Sequence, residues 1–313
     1  MGGSGGGGGR YFSDKQDPKE QSQKLRKSEK SVLDDKFESE VSKIIASELV
    51  DYNDRDAEAV TDYLDTIKKA LEKEIEGTID LRFGGSVEKH TYVDGLSDID
   101  SLVLLENSEL KGKNPGDVLE YFYARLRDRF PNTDIRKGEL AVTLSFEKAE
   151  IQLVPAIKSG SNLKISDRTG NRWSTINPSS FSEHLTSVNQ STGGKLVPTI
   201  KLVKAILSKL PESRRLSSYH TEALAVEIFR DYEGPSTPKR MLSHFFERAA
   251  DKVLNPVTDE TGQSGHVDDY LGNARSVERR LVSDSLGRLG RKIKNADGAS
   301  STEQWKEILG KDE

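Results

Sequence analysis

The chain has 313 residues, of which 34% are hydrophobic and 32% charged, with a formal net charge of −5 and no cysteine. Its length allows one large domain or two smaller ones, and its negative balance excludes a surface that binds nucleic acid through net charge alone. The lack of cysteine excludes disulfides and cysteine-ligated zinc or iron–sulfur sites, and with no membrane-length apolar run and no visible signal peptide a soluble cytoplasmic protein is expected.

Residues 1–30 lack apolar periodicity. Gly2 to Gly9 is nearly pure glycine and serine, and the polar stretch after it completes a predicted flexible tail. From about 31 to 75 the pattern is helical: Val32, Phe37, Val41, Ile44, Ile45 and Leu49 recur at three- and four-residue spacing, as do Val60, Tyr63, Leu64, Ile67 and Leu71. Both stripes read as core packing, with a break near Asp51–Asp54. Strands are predicted at 79–84, 98–105, 141–146 and 149–155. A helix at 114–128 starts at Asn114-Pro115. Residues 159–190 read as loop-rich. From 195 the pattern is helical, with helices at 195–209, 218–232, 236–254 and 266–294. The expected organisation is a tail (1–30), a core with N-terminal helices (31–190) and a C-terminal helical domain (191–313), with no internal repeat.

The segment 79–105 carries the chemistry. Ile79-Asp80-Leu81-Arg82-Phe83 alternates apolar and polar side chains, as a strand does on entering a turn. Gly84 and Gly85 permit a tight turn and close approach of a ligand. Ser86 then opens a predicted helix, where free backbone N–H groups and a hydroxyl form an anion site. Eleven residues separate Ser86 from Asp98. Asp98 and Asp100 lie two apart on a strand and share a face, while Ile99 and Leu102 to Leu105 bury the rest. Two such carboxylates repel unless a cation lies between them, and Mg²⁺ or Mn²⁺ suits an all-oxygen site completed by phosphates.

This combination resembles the DNA polymerase β-type nucleotidyltransferase superfamily. Lys201-Leu-Val-Lys204 on one helix and Ser217-Ser218-Tyr219-His220 opening the next look like the cyclic GMP–AMP synthase arrangement. Leu153-Val-Pro-Ala156, Asn255-Pro-Val-Thr-Asp259 and Tyr270-Leu271 are similar to the bacterial branch, the cGAS/DncV-like nucleotidyltransferases of anti-phage signalling. The resemblance covers about residues 40–295. It implies an α+β fold, a polymerase β-like core (a mixed, twisted sheet with helices) plus a C-terminal helical lobe, with the active site between them. It implies synthesis of a cyclic di- or trinucleotide from ATP and other NTPs, with two Mg²⁺ (or Mn²⁺) ions held by Asp98 and Asp100. Gly85, Ser86, Lys204 and Ser218 would hold the donor triphosphate, and Tyr219 would stack on its base. A regulatory protein is a possible partner, and nucleic acid is not the expected substrate. Three other activities stay open: extension of RNA 3′ ends, modification of a macromolecular target, and nucleotide binding without chemistry.

One position departs from the family. A third carboxylate is expected just before Leu153, and Gln152 stands there. Glu150, two residues earlier and on the same strand face, is the favoured third catalytic and metal-binding group. In the alternative, Gln152 occupies the slot, where its amide positions a hydroxyl but is a poor base. A basic run of Arg275, Arg279, Arg280, Arg288, Arg291, Lys292 and Lys294 interleaves with apolar residues, as on the solvated face of an amphipathic helix. A partner surface is the other reading.

Overall fold

A computed structural model describes residues 18–52, 57–74, 78–83, 89, 91, 99–106, 109–159, 162–167, 169–257 and 267–311. Helix α1 (Pro18–Asp51) comes first. Its opening turns correct the expected tail, because residues 18–30 are helical. Lysine, glutamine, glutamate and arginine are good helix formers, and with no apolar face in these turns the periodicity gave no signal. Helix α2 (Ala57–Glu74) follows after the expected break.

Among the described residues, seven strands form one mixed sheet: β1 (Thr78–Phe83), β2 (Ile99–Glu106), β3 (Asp134–Lys137), β4 (Val142–Ser145), β5 (Glu150–Ser159), β6 (Asn162–Ser166) and β7 (Trp173–Ile176), with the main path β1-β2-β5-β4-β3. Only the β2–β5 pairing is parallel, and the other described pairs are antiparallel. The second half of β5 leaves β4 and pairs with β6, which pairs with β7. Strands β3, β6 and β7 were not expected. Ile135 is the only buried residue of β3, and all four residues of β7 are half-buried, so neither shows the alternation that marks a strand.

Helix α3 (Pro115–Arg129) is capped by Asn114, whose side chain accepts from the Gly116 N–H, with Pro115 in the first turn. It packs Val118, Leu119, Phe122 and Leu126 with Val60, Leu64, Ile67 and Leu71 of α2 against Val103, Leu105, Val142, Leu144, Ile151 and Leu153 of the sheet. This core covers one sheet face.

Helices α4 (Pro178–Ser191), α5 (Leu196–Ser208), α6 (Ser218–Phe229), α7 (Pro238–Lys252), α8 (Val277–Gly298) and α9 (Thr302–Leu309) build a second core. Phe181, Leu185 and Val188 of α4 join it, as do Phe37, Val41 and Ile45 of α1. The two packing units therefore cut the chain differently from its linear order: α1 and α4 pack with the helical lobe, and α2 packs with the sheet.

Arg279 departs from the rest of the basic run. It is buried, donates to the carbonyls of Val253, Asn255, Gly272 and Asn273, and pairs with Asp268 at 2.9 Å. Arg275, Arg280, Arg288, Arg291, Lys292 and Lys294 are exposed. Arg279→Met leaves the Asp268 carboxylate buried without its partner and is expected to cost about 3–5 kcal/mol. Arg288→Met on the exposed face should stay within about 0.5 kcal/mol. Urea denaturation of the two variants checks the contrast.

Candidate active site

The parallel register pairs Ile99 with Ile151 and Asp100 with Gln152. Across β5, Gln152 also faces Thr143 of β4. Ile151 and Leu153 point into the sheet core, so alternation puts Glu150, Gln152 and Val154 on the opposite face, where all three are half-buried. Gln152, the family's departure, thus sits on the strand beside position 100. Gly85, Ser86 and Asp98 lie outside the described residues, as does the helix expected from Ser86; Asp100 is described through its place in β2.

Glu150 has another employment. It pairs in register with Ser145, whose hydroxyl donates to its Oε1 at 2.6 Å. Arg136 of β3 forms a salt bridge to the same oxygen. The carboxylate favoured from sequence as a third metal ligand thus carries an ion pair to Arg136, on the strand face it shares with Gln152.

On the helical lobe, Lys204 and Glu222 form a cluster that crosses to the sheet lobe. Glu222, on α6, is 1% exposed, and its carboxylate accepts from Lys204 at 2.7 Å and also from Lys89 and Thr91. Lys204 Nζ also donates to the Thr91 carbonyl at 3.1 Å and lies 3.4 Å from its hydroxyl. Burial pushes the Glu222 carboxyl up, but Lys204 and Lys89 outweigh it and hold the pKa down to about 2. The lysine expected to meet a phosphate is here engaged by a carboxylate. Sequence reasoning missed Glu222, Lys89 and Thr91. In the sequence Glu222 is followed by Ala223, Leu224, Ala225 and Val226 and then by a second carboxylate, Glu227, so nothing in the pattern singles it out as the buried one.

Helix α6 is capped by Ser217, whose side chain accepts from the His220 N–H. Ser218 is its first residue and is exposed. The Tyr219 ring packs at 5.1 Å from Phe181, tilted 55°, and Lys89 Nζ lies 5.0 Å from its centroid. The Tyr270 hydroxyl accepts from the Ser217 N–H at 2.9 Å and meets His220 Nδ1 at 3.0 Å. Asp268 in turn accepts from the Val257 N–H and from Arg279. The start of α6, with Ser218 and Tyr219, is thus held from behind by a buried polar array.

Among the described residues, no three His, Cys, Asp or Glu side chains converge. Asp98 lies outside the described residues, and carboxylates such as those of the Asp-x-Asp motif are the oxygen donors that suit a hard divalent cation.

The family model of the Second Messenger Oligonucleotide or Dinucleotide Synthetase domain matches residues 36–189. No curated protein sequence matches the chain. Bradyrhizobium diazoefficiens CdnG in complex with GTP is 13% identical, with 86% of this chain and 95% of that one covered and a TM-score of 0.64. Escherichia coli MS115-1 CdnC with ATP is 15% identical, with 85% and 92% covered and a TM-score of 0.60. Vibrio cholerae DncV, a cyclic AMP–GMP synthase bound to a linear pppA(3′,5′)pG intermediate, is 14% identical, with 95% and 90% covered and a TM-score of 0.59. The likenesses show a common fold, with the polymerase β-like core and helical lobe expected from the sequence.

Burial is the main cause that lowers the His220 pKa, to about 4 from 6.5, with Arg279 lowering it further and Asp268 opposing. The unfolded chain binds this proton near 6.5 and the folded chain only near 4. Stability from this group is therefore full above pH 6.5 and is lost as pH falls towards 4. The contribution is about 3 kcal/mol at most. Denaturation midpoints of wild type and His220→Asn across this window check it, and the variant's profile should be the flatter one.

Proposed function

We propose that this chain, which belongs to the cGAS/DncV-like nucleotidyltransferases, joins nucleoside triphosphates into a cyclic di- or trinucleotide and releases pyrophosphate. The observation that carries the reading is the parallel β2–β5 pairing inside the matched domain, which sets Asp100 of the Asp-x-Asp motif beside the position 152 slot. Relatives of the same fold hold ATP, GTP or a linear dinucleotide, which supports ATP as one substrate. Family membership supports a role in anti-phage defence.

In this reading an acceptor ribose hydroxyl attacks the α-phosphate of a donor NTP in line. The new P–O bond forms as the bond to pyrophosphate breaks, and the hydroxyl proton passes to solvent. Gly85 and Ser86 cradle the donor phosphates, and Tyr219 stacks on the base. Asp98 and Asp100 would hold divalent cations of the Mg²⁺ type. When bound, such ions neutralise charge on the phosphoryl oxygens. Gln152 orients the acceptor hydroxyl through its amide and does not deprotonate it, because a neutral amide is not a base at neutral pH. Most of the rate enhancement then comes from positioning and charge stabilisation.

The test incubates the purified chain with four radiolabelled NTPs and Mg²⁺ or Mn²⁺, treats with phosphatase and resolves the products. A phosphatase-resistant product is expected. Asp98→Asn with Asp100→Asn should reduce it by about 10³-fold or more, since removing single electrostatic stabilisers already costs about 10²–10³. Normal turnover by that double variant would sink the assignment.

Gln152 also favours a second reading, a nucleotide-binding protein without chemistry, which predicts NTP binding without pyrophosphate release. Two further variants bear on the slot. Gln152→Asp adds a carboxylate beside Asp100 and is expected to raise turnover about tenfold, roughly 1.4 kcal/mol in the barrier. Glu150→Gln, at the residue tied to Arg136 and Ser145, should stay within about twofold, roughly 0.4 kcal/mol. Steady-state product formation at fixed Mg²⁺ reads both.

A further inference from the structure

The Glu222 cluster contains more positive than negative charge. Two ammonium groups, Lys89 and Lys204, share one carboxylate among the described residues, and Lys89, Lys204, Thr91 and Glu222 are all buried. The two lysines are used differently. Lys204 directs its Nζ at Glu222 Oε1, the Thr91 carbonyl and the Thr91 hydroxyl. An ammonium has three donors, so Lys204 is committed to bracing and has no donor left to offer a ligand without moving. Lys89 bonds the other carboxylate oxygen, Oε2. Its Nζ then occupies the notch between two rings, 4.8 Å from the Phe181 centroid and 5.0 Å from that of Tyr219.

A desolvated cation over an aromatic face is attractive, but only while its charge is compensated. Glu222 supplies that compensation. Without it a buried Lys89 ammonium has every reason to leave for water. The notch between Phe181 and Tyr219 then empties, and the Tyr219 ring loses the support on that face. One face of Tyr219 is therefore spent on Lys89, and a base must use the rest of the ring.

We propose that Glu222 is a positioning residue of the nucleotide site: it holds Lys89 against the Tyr219 ring and thereby fixes the plane on which a base stacks. The proposal rests on the function argued above for the Tyr219 part. It assigns to Glu222 and Lys89 an indirect role through the ring, with no contact to phosphate.

The experiment compares wild type, Glu222→Gln, Glu222→Asp and Lys89→Met in three measurements: thermal melting, acylation of Lys89 followed by mass spectrometry, and binding of two probes. One probe is α,β-methylene ATP, and the other is inorganic tripolyphosphate, which has no base. In folded Glu222→Gln, Lys89 should acylate about tenfold faster than in wild type. Affinity for the ATP analogue should fall about tenfold, within what base–aromatic stacking contributes. Tripolyphosphate affinity should not change. Glu222→Asp should recover part of the loss.

An equal drop for both probes would mean a merely structural role and overturn the proposal, as would unchanged Lys89 acylation in Glu222→Gln. If Glu222→Gln does not fold, Lys89→Met decides. It leaves the Lys204–Glu222 pair balanced, and it must lose affinity for the nucleotide but not for tripolyphosphate. Equal affinity of Lys89→Met and wild type for the nucleotide would overturn the proposal. If wild type binds neither probe, the functional reading falls and takes the stacking role with it, while the acylation rates still decide whether Glu222 holds Lys89.

Discussion

Two strands running side by side in the same direction, β2 and β5, constrain the rest of the site. Val103, Leu105, Ile151 and Leu153 commit one face of this pair to the sheet core. A slip of one residue would turn those four side chains to the other face, so their burial locks the register. The same lock places residue 100 next to residue 152. The apolar half of the pair thus sets the geometry of its polar half. Chemistry on the open face inherits its precision from packing on the closed one, in keeping with the rule that sites on strands are held better than sites on loops.

The helical lobe contributes by a different kind of force. Its buried charges gather around the start of α6. Glu222 reaches across to Lys89 and Thr91, and the Asp268–Arg279 pair stands behind Tyr270 and His220. Charges removed from water are costly unless they are paired and hydrogen-bonded. These satisfy that condition with nearly every available oxygen, including the carbonyls that end α7. The His220 Nε2 atom is a buried exception among the described residues. Such clusters add little net stability but admit few alternative arrangements, which is the property a nucleotide pocket needs.

The sequence was most legible where local chemistry and pattern agreed. The alternation of Ile79 to Phe83 and the apolar run Leu102 to Leu105 gave β1 and β2 to within a residue or two, and Asn114-Pro115 gave the start of α3. Helix α4 was readable and was read as a loop: Asn177-Pro178 is the same cap-and-proline start, and Phe181, Leu185 and Val188 follow at helical spacing. Strands β6 and β7 were less accessible, because a half-buried edge hairpin has no clean alternation. At the site, Gln152 was visible as a departure, but its place beside Asp100 required the register. Arg279 was counted with a solvated basic face because burial inverts the meaning of a charge without changing its spacing. The Lys204–Glu222 pairing was out of reach for a related reason. Both residues were visible, yet nothing local to either says that they meet.

The packing of α1 has a consequence for how the chain is made. Phe37, Val41 and Ile45 sit in one core with Trp305, Ile308 and Leu309, and Lys311 bonds Ser47 and Glu48. The helical lobe is therefore closed by both ends of the described chain, and the sheet lobe is an insertion within it. On a ribosome, residues 57–176 can complete their own core early. Helix α1 precedes the sheet lobe, finds its first partners only in the helices at 196–208 and 238–252, and completes its packing only with the helix at 302–309. Closing so long a loop is slow, and an exposed stripe invites misassembly in the interval. The opening turns of α1 are almost wholly polar in sequence, and such a lead-in keeps the waiting helix solvated during that interval.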